Sequence, residues 1–352
     1  MSETGFVREI SRQPEALRTV AAFYASDDGR ALLERCAGLA GTCRRLVFTG
    51  MGTSLYAPYL VANELTDGNR TVERHDAGEL LHFGLDSLYE NDILIAVSQS
   101  GESAETKRVV EEVTGRIPVI SIVNNVESTM GQCADLTLPL LAGEEASIST
   151  TTYTNTLAVL LLLSSQITSG NSGSTVDGLL KTANLIEESL DTLRLFAAEA
   201  ARYFRDFNSL HIIGRGSDLV TSRQWALILK EGAGIFTEAL SAGLYRHGPI
   251  ELSGEGHAAA YVVSRDNRSY LTCGLAKETH CAGSRVLVLS EGTIDEGSLP
   301  QGVLQVVIPG SGGRYFPTMC APFIEYFVHE AAAIRGQEAG VFRHATKITS
   351  RE

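Results

Sequence analysis

Short apolar runs alternate with longer amphipathic segments along the chain. In the first half these runs lie in RLVFTGMGTS (45–54), DILIAVSQSG (92–101), RIPVISIVNN (116–125) and DLTLPL (135–140). Strands rich in valine, isoleucine and leucine, separated by segments of helical length, are typical of parallel sheets that are covered on both faces. The pattern therefore predicts an α/β fold in which helices sandwich a parallel sheet.

The same order of motifs recurs in the second half of the chain. RLVFTGMGTS begins at Arg45 and its counterpart SLHIIGRGSD begins at Ser209, an offset of 164 residues. The later strands follow in the same order, in AAAYVVSRDN (258–267), SRVLVLSEGT (284–293) and LQVVIPG (304–310). A repeat of this kind predicts two α/β domains of similar design.

A glycine- and serine-rich stretch, GNSGST (170–175), separates the two halves. Apolar residues then recur at helical spacing, at Leu179, Leu180, Ala183, Ile186, Leu190 and Leu193. We therefore predict a first domain over residues 1–170 that includes an N-terminal helix, a linker helix over 171–203, a second domain over 204–335 and a C-terminal tail over 336–352.

Composition and charge narrow the class of protein. The 352 residues are 44% hydrophobic and 20% charged, which is ordinary for a globular protein, and the formal net charge is −13. This charge disfavours nucleic acid as a partner, because the neutralisation of phosphates needs a basic face. The longest apolar run, 157–163, is too short to cross a bilayer, and the polar N-terminus lacks the apolar core of a signal peptide. We expect a cytoplasmic protein that is not bound to a membrane.

The six cysteines are scattered along the chain, with no CxxC pair and no histidine at metal-ligand spacing. This arrangement is typical of free thiols in a reducing compartment. No metal site is predicted.

Two loops carry the candidate chemistry, and each follows a strand of the first half. Parallel sheets bind ligands beyond the carboxyl ends of their strands, where backbone N–H groups and helix N-termini point outward. Gly50-Met51-Gly52-Thr53-Ser54 and Ser98-Gln99-Ser100-Gly101-Glu102-Ser103 both fall at such ends. We expect one ligand to contact both loops.

The second of these loops is suited to a phosphate. Three hydroxyls, an amide and a glycine turn at a helix start can surround a phosphate with donors without needing a cation. A helix N-cap would use one hydroxyl and would leave the others unexplained. The matching loop in the second half reads Ser264-Arg265-Asp266-Asn267, where Asp266 would repel a phosphate in a desolvated pocket. Phosphate binding is therefore predicted for the first half alone.

The GMGTS motif also resembles the start of a dinucleotide fingerprint. Glu73 lies near the spacing expected for the acid that binds a ribose. Leu55, however, occupies the position where the fingerprint has a third small residue, and the second copy, Gly214-Arg215-Gly216-Ser217, is no closer. Nicotinamide binding is therefore disfavoured, and we expect no cofactor.

Glu231 and His247 stand out in the second half. Glu231 belongs to a helical pattern that begins near Thr221, and His247 precedes Gly248-Pro249. Taken alone, Glu231 is compatible with a solvated helix face, and His247 with a turn residue that is bonded to the backbone.

Taken in order, several motifs resemble those of a known family. They are GMGTS, SQSGES, EASISTT (145–151), IIGRG, LKEG, RHGP and RHATKIT (343–349). They are similar to motifs of the double SIS (sugar isomerase) proteins, particularly the isomerase half of glucosamine-6-phosphate synthase, and the similarity covers nearly the whole chain. The resemblance implies two tandem SIS domains, each a parallel sheet sandwiched by helices in a flavodoxin-like three-layer αβα arrangement.

The resemblance also implies roles for individual residues that bind substrate. The phosphate group would be held by Ser98, Gln99, Ser100 and Ser103. The sugar would be lined by Gly52, Thr53 and Ser54, with a backbone contact near Ser147.

The catalytic residues implied by the resemblance are Glu231, His247 and Lys347. Glu231 would move a proton between C1 and C2, which requires one carboxylate that can accept and return it. His247 would open the sugar ring and would come from the neighbouring subunit of a homodimer, so that the active site is shared. Lys347 would reach the sugar carbonyl, where it can stabilise enolate charge or form an imine.

Departures from the synthase pattern limit the expected reaction. Ile228 and Thr151 replace lysines, and Leu244 stands where many relatives have a glutamate, so an altered pocket is implied. Only about 45 residues precede the GMGTS strand, and we expect a protein without a glutaminase domain. The predicted function is 1,2-proton transfer on a hexose or aminosugar 6-phosphate, by an aminosugar-phosphate deaminase/isomerase or a fructosamine or glucosamine-6-phosphate deglycase.

The alternative is a sugar-phosphate-binding sensor or regulator without catalytic activity. SIS modules in transcription regulators usually accompany a basic helix-turn-helix, and no such segment is recognised before Arg45 or after Thr349. The joint presence of Glu231, His247 and Lys347 favours an enzyme.

Overall fold

A computed structural model describes residues 4–41, 43–146, 148–266, 268–294, 299–310, 312–342, 344, 346, 347 and 349. The chain divides into two compact units. The first-sheet unit comprises Glu15–Leu180 and Arg343–Glu352, and the second-sheet unit comprises Met1–Pro14 and Lys181–Phe342. This division groups the tail with the first half and residues 1–14 with the second half, and so differs from the domain limits drawn from the sequence, which stay a prediction.

The strands of the first sheet include the four apolar runs predicted as strands in the first half of the sequence. Within the described residues they are β1 (Arg45–Gly50), β2 (Thr71–Asp76), β3 (Asp92–Ser98), β4 (Val119–Val123) and β5 (Leu136–Pro139). They are parallel and lie in the order β2-β1-β3-β4-β5. All residues of β3 and β4 are buried, because side chains on both faces of the sheet are covered.

The second sheet repeats this topology. Its strands in the described part of the chain are β6 (Ser209–Gly214), β7 (Phe236–Ser241), β8 (Ala258–Val263), β9 (Arg285–Glu291) and β10 (Leu304–Ile308). They are also parallel, in the order β7-β6-β8-β9-β10. The predicted fold class, two α/β units of the same design, is confirmed.

The helices follow the strands as the sequence pattern indicates. They are α1 (Gly5–Ser11), α2 (Gln13–Ala25), α3 (Asp27–Ala40), α4 (Thr53–Tyr56), α5 (Ala62–Leu65), α6 (Ala77–Glu79), α7 (Ala104–Val113), α8 (Thr129–Cys133), α9 (Thr151–Ser169), α10 (Gly173–Tyr203), α11 (Asp218–Ala233), α12 (Ala242–Arg246), α13 (Ser269–Cys281) and α14 (Phe316–Ile334). Short 3₁₀ turns occur at Ala57–Leu60, Leu85–Ser87, Pro249–Leu252 and Gly313–Tyr315, and a π turn at Leu80–Gly84.

Local chemistry fixes several helix ends. The hydroxyls of Thr4, Ser26 and Ser128 accept hydrogen bonds from the first turns of α1, α3 and α8. Gly170 and Gly234 end α9 and α11 in the left-handed conformation, which glycine adopts without a steric penalty. In the described residues no helix combines the length and the hydrophobicity that crossing a membrane requires.

Candidate active site

The order of strands in the first sheet creates a crevice. From β1 the chain continues to β2 on one side, and β3 lies on the other side of β1. Ligands gather at the carboxyl ends of strands where the connections diverge in this way. Because β1 pairs with β3, with Thr49 opposite Ala96, the loops after these two strands are neighbours. We call this place the β1/β3 crevice.

The first loop of the crevice contains Gly52, Thr53 and Ser54. Thr53 and Ser54 begin α4, and Gly52 precedes them with φ +54°, in the region that favours glycine. A Cβ atom on Gly50 would lie 2.8 Å from the carbonyl oxygen of Val97 and 2.9 Å from Cβ of Ser54. The turn therefore packs directly on β3, and only glycine fits at its start.

The second loop, residues 98–103, is called the serine loop below. Ser98 Oγ accepts a hydrogen bond from the N–H of Gly101 at 3.1 Å, and Ser100 Oγ accepts one from the N–H of Glu102 at 3.1 Å. Ser103 precedes α7 but makes no side-chain cap to it, and its Oγ lies 3.4 Å from Ser98 Oγ. Helix capping therefore does not account for these hydroxyls.

Glu102 anchors the serine loop to α8. Its carboxylate accepts hydrogen bonds from N and Oγ1 of Thr129, at 2.6 and 3.2 Å, and lies 3.5 Å from Nζ of Lys107. The hydrogen bond from the Thr129 backbone, with help from the Thr129 hydroxyl and Lys107, lowers the pKa of this carboxyl group against a smaller opposing effect of burial. Glu102 is thus held as an anion by the neighbouring helix.

The C-terminal tail meets the same loop within the first-sheet unit. The N–H of Ala104, the first residue of α7, donates a hydrogen bond to the carbonyl oxygen of Thr349 at 3.1 Å. Lys347 Nζ lies 2.6 Å from Oε2 of Glu145. The structure therefore brings predicted residues Ser98–Ser103 and Lys347 into one unit, linked by the tail.

Glu145 was not singled out by the sequence. Its side chain is 0% exposed. The carboxylate accepts hydrogen bonds from donors at the start of α9, namely Thr150 N (2.7 Å), Thr150 Oγ1 (3.0 Å), Thr151 Oγ1 (3.3 Å), Thr152 N (3.1 Å) and Thr152 Oγ1 (2.7 Å). Burial alone would raise its pKa, but the Lys347 ammonium and these donors outweigh burial, so the pKa is lowered. The sequence signal that could have indicated this residue is a glutamate that shortly precedes three threonines at the start of a predicted helix.

Glu231 and His247 lie in the second-sheet unit. Glu231 is exposed near the C-terminal end of α11, and His247 is exposed directly after α12. Two large apolar side chains near His247 are also exposed, Leu244 by 59% and Leu252 by 60%. An enclosed pocket around the exposed Glu231 and His247 therefore requires a further surface to cover them.

The corresponding crevice of the second sheet is occupied by carboxylates of the chain itself. Asp218 Oδ2 accepts hydrogen bonds from N and Oγ of Ser264, at 2.9 and 3.1 Å. Glu291 accepts from the N–H groups of Arg265 (2.9 Å) and Gly313 (3.1 Å). Burial raises the pKa of Asp218 to about 7, an effect that the bonds from Ser264 oppose and the negative charges of Asp266 and Glu291 reinforce. The backbone donors that a phosphate would use are therefore already taken.

Two further sequence candidates can be located. Glu73, considered as a ribose-binding acid, forms an ion pair with Arg45 (3.1 Å), and its Oε2 lies 3.0 Å from Nε2 of His75. Ser147 lies outside the described residues. No cluster of metal-ligating side chains occurs in the part of the chain that the structure describes.

Comparisons with known proteins agree with this architecture. Residues 42–165 match the SIS domain family model. Over 361 aligned residues the chain is 30% identical to a glutamine–fructose-6-phosphate aminotransferase (isomerizing) from Aeropyrum pernix, covering 98% of this chain but 57% of that relative. The chain thus spans little more than half the length of this relative.

Solved structures share the fold. The C-terminal domain of glucosamine-fructose-6-phosphate aminotransferase from Francisella tularensis superposes with a TM-score of 0.85 at 20% identity, covering 96% of this chain and 98% of that one. A glucosamine-6-phosphate deaminase from Thermotoga maritima gives a TM-score of 0.75 at 21% identity, covering 98% and 99%. Residues 42–165 thus match the SIS (sugar isomerase) domain family, and the second sheet repeats the topology of the sheet in that region.

Proposed function

We propose that this protein is a phosphosugar isomerase-type enzyme that acts on a hexose or aminosugar 6-phosphate by 1,2-proton transfer. The observation that carries the proposal is the serine loop, which places hydroxyls and the N-terminus of α7 at the β1/β3 crevice. The hydroxyls and N–H groups of the loop can surround a phosphate with donors without needing a cation.

The phosphate group binds the serine loop through Ser98, Gln99, Ser100 and Ser103. Ser98 and Ser100 accept hydrogen bonds from loop N–H groups, which leaves each hydroxyl proton able to point to a ligand. Gly52, Thr53, Ser54 and the segment at Ser147 line the sugar.

The chemical steps are assigned to Glu231, His247 and Lys347. Glu231 accepts the proton at C2 and returns it at C1, and His247 exchanges the proton of the ring oxygen. Lys347 stabilises negative charge at the sugar oxygen. No metal or organic cofactor has a role in this scheme.

Within this class we propose an aminosugar-phosphate deaminase/isomerase or deglycase. One structural relative is named as a glucosamine-6-phosphate deaminase, and the sequence relative as an isomerizing aminotransferase of fructose 6-phosphate. The isomerase, deaminase and deglycase reactions share the proton transfer and therefore use the same base. They differ in the group that leaves C1 or C2 of the sugar.

The active form is a homodimer in which His247 comes from the partner chain. The exposed Leu244 and Leu252 beside an exposed His247 support this proposal, because apolar side chains near a catalytic group are stabilised by a covering surface. A cytoplasmic location is part of the same proposal, and the free cysteines among the described residues, such as the buried Cys36, Cys273 and Cys320, suit a reducing compartment.

Deuterium exchange tests the reaction. Incubation with fructose 6-phosphate or glucosamine 6-phosphate in D₂O is expected to introduce deuterium at C1 or C2, read by NMR. Glu231→Gln should keep ligand affinity and lower the exchange rate by at least about a hundredfold, the usual effect of removing a general base. Glu199→Gln, at an exposed position on α10, is the matched control.

Two outcomes would oppose the proposal. Binding of hexose phosphates without exchange would favour the alternative, a sensor that lacks catalysis. Full exchange by Glu231→Gln would remove Glu231 as the base.

A further inference from the structure

A row of four polar side chains crosses the second sheet near the amino-terminal ends of its strands. Glu238 Oε2 lies 3.3 Å from His211 Nε2, and His211 Nδ1 lies 2.9 Å from His257 Nε2. His257 Nδ1 in turn lies 2.9 Å from Ser284 Oγ. His211 and Glu238 are register partners on β6 and β7, while His257 and Ser284 directly precede β8 and β9. We call these four side chains the histidine relay.

Both imidazoles of the histidine relay are neutral at pH 7. Burial, with a smaller effect of the charge of His211, lowers the pKa of His257 to about 4. Burial also lowers the pKa of His211, against the opposing charge and hydrogen bond of Glu238. Two imidazolium cations with nitrogens 2.9 Å apart would in addition repel each other.

Neutral rings leave one direction for the hydrogen bonds. A carboxylate only accepts, so His211 donates from Nε2 to Glu238 and accepts at Nδ1. His257 therefore donates from Nε2 and accepts at Nδ1 from the hydroxyl of Ser284. Ser284 Oγ itself accepts a hydrogen bond from the N–H of Gly254 at 3.0 Å. Each ring nitrogen thus has a partner, which fixes the orientation of both rings.

The histidine relay supports the first end of the loop that carries His247. Tyr245 lies two residues before His247 and is 0% exposed. Its ring packs edge-on against His211, with 5.8 Å between the ring centroids. It lies nearly parallel to the ring of His257, at 6.4 Å and 23° between the planes. The loop therefore starts from a buried ring that rests on both imidazoles.

The other end of the same loop is held as well. Tyr245 Oη forms a hydrogen bond of 2.9 Å with Ser253 Oγ, and Gly254 donates its N–H to Ser284 Oγ. Between these two anchors His247 is exposed. An exposed side chain has little packing of its own, so the anchored ends of residues 245–254 set the position of His247.

We propose that His257 is a positioning residue for His247: the histidine relay fixes both ends of residues 245–254 and so sets where the His247 imidazole meets the sugar. The inference rests on the proposed function, in which His247 opens the sugar ring, and deepens it by naming the groups that support this step. His257 does not contact the sugar in this scheme and acts through Tyr245 and Ser284.

Amide hydrogen exchange tests the anchoring without any substrate. In Ser284→Ala the N–H of Gly254 loses its acceptor and His257 loses its donor, while no larger group enters the core. We expect the amides of residues 245–254 to exchange at least about fivefold faster than in the wild-type protein, the effect of one ordinary hydrogen bond, as measured by peptide mass spectrometry. Unchanged exchange there in a folded Ser284→Ala protein would overturn the inference.

His280→Phe is the matched control for the loss of a histidine. His280 lies near the end of α13 in the same unit, and its Nε2 lies 3.2 Å from the carbonyl oxygen of Gln301. This variant should leave the exchange of residues 245–254 at wild-type rates. Acceleration by His280→Phe equal to that by Ser284→Ala would indicate general loosening of the unit and would overturn a specific role for the histidine relay.

Two substrates separate the positioning of His247 from a merely structural effect. 5-Deoxyfructose 6-phosphate lacks the hydroxyl that closes the furanose ring, so it needs no ring opening, unlike fructose 6-phosphate. His257→Phe should lower deuterium exchange into fructose 6-phosphate by at least about tenfold, because small displacements of a catalytic group are costly, and into the open-chain analogue by less than about twofold. Equal losses with both substrates would overturn the inference.

Ser284→Ala serves as a second variant in the same comparison. If His257→Phe does not fold, Ser284→Ala should show the same difference between the two substrates, and equal losses would again overturn the inference. Absence of exchange with both substrates in the wild-type protein would instead count against the proposed function. The amide exchange of residues 245–254 would still judge the anchoring of the loop by the histidine relay.

Discussion

Asp218 illustrates how a single buried carboxyl group makes stability depend on pH. Its pKa is raised to about 7 by burial and by neighbouring Asp266 and Glu291. Between about pH 4 and pH 7 the folded state therefore keeps a proton that the unfolded state has lost. The free energy of unfolding should fall as the pH rises through this window.

Asp218→Asn should remove this dependence. An amide can still accept from Ser264 through its oxygen, and it carries no charge at any pH. Relative to wild type, we expect the free energy of unfolding to rise by roughly 3–4 kcal/mol more at pH 8 than at pH 4, measured by urea denaturation. Asp191→Asn, on the exposed side of α10, is the control. Equal effects of Asp218→Asn at both pH values would contradict the assignment.

At this scale the sequence could predict side-chain environments that are set by neighbours in the chain. Ser98, Ser100 and Gly101 are neighbours in the chain, and a glycine turn with hydroxyls before a helix predicts donors directed at one place. Glu145 and Asp218 owe their environments to distant partners, Lys347 and Ser264. Such pairings depend on the tertiary fold, so the spacing of residues did not reveal them.

Gly101 controls the shape of the serine loop. It has φ +68°, and a Cβ atom there would lie 1.9 Å from Ser128 Oγ. Gly115 has a comparable φ of +79°, but no atom lies within 4 Å of its Cβ position. The two glycines therefore share a backbone requirement and differ in steric surroundings.

Gly101→Ala should displace the serine loop, whereas Gly115→Ala should add strain alone. We expect Gly101→Ala to weaken binding of fructose 6-phosphate by at least about tenfold, and Gly115→Ala to cost on the order of 1 kcal/mol of stability with little change in binding. Calorimetric titration and thermal unfolding measure both. Equal loss of affinity in the two variants would mean that the loop does not hold the phosphate.

Strands with a continuous apolar run were predictable as elements, whereas the polar edge strands β2 and β7 were not. Each apolar run in the repeat forms a strand, because a strand covered on both faces must be apolar throughout. β2, with sequence TVERHD, and β7, with sequence FTEALS, are partly exposed edge strands and lack this pattern. β2 and β7 are strands because they pair with β1 and β6, respectively. The sequence of one short segment does not reveal such a pairing.

The proposed homodimer predicts complementation between inactive chains. Glu231→Gln and His247→Ala protomers should each be inactive alone, and a mixed dimer should regain a site in which Glu231 of one chain works with His247 of the other. Co-expression with two affinity tags yields the mixed dimer, and deuterium exchange reports its activity. Purified mixed dimers without activity would place both residues in a site built by one chain.

The two halves of the molecule share topology but differ in chemistry. The sequence predicted the duplication because strand order and hydrophobic pattern repeat together along the chain. It also predicted that the second copy had changed, through Asp266. The structure places Asp266 on the surface and instead puts Asp218 and Glu291 at the backbone donors. The second copy thus carries its own carboxyl groups at a place where helix N-termini favour an anion.

The carboxylates in the second crevice have a consequence for inhibitor screening. Sulfate, vanadate and other free oxyanions would find the backbone donors of the second crevice already bonded to Asp218 and Glu291. Competition by such ions against a labelled sugar phosphate should therefore follow a single-site curve for each polypeptide. Crystals or screening samples that contain such ions should then show one occupied oxyanion site per chain. Inhibitor fragments directed at that site would not have to discriminate between the first and the second crevice.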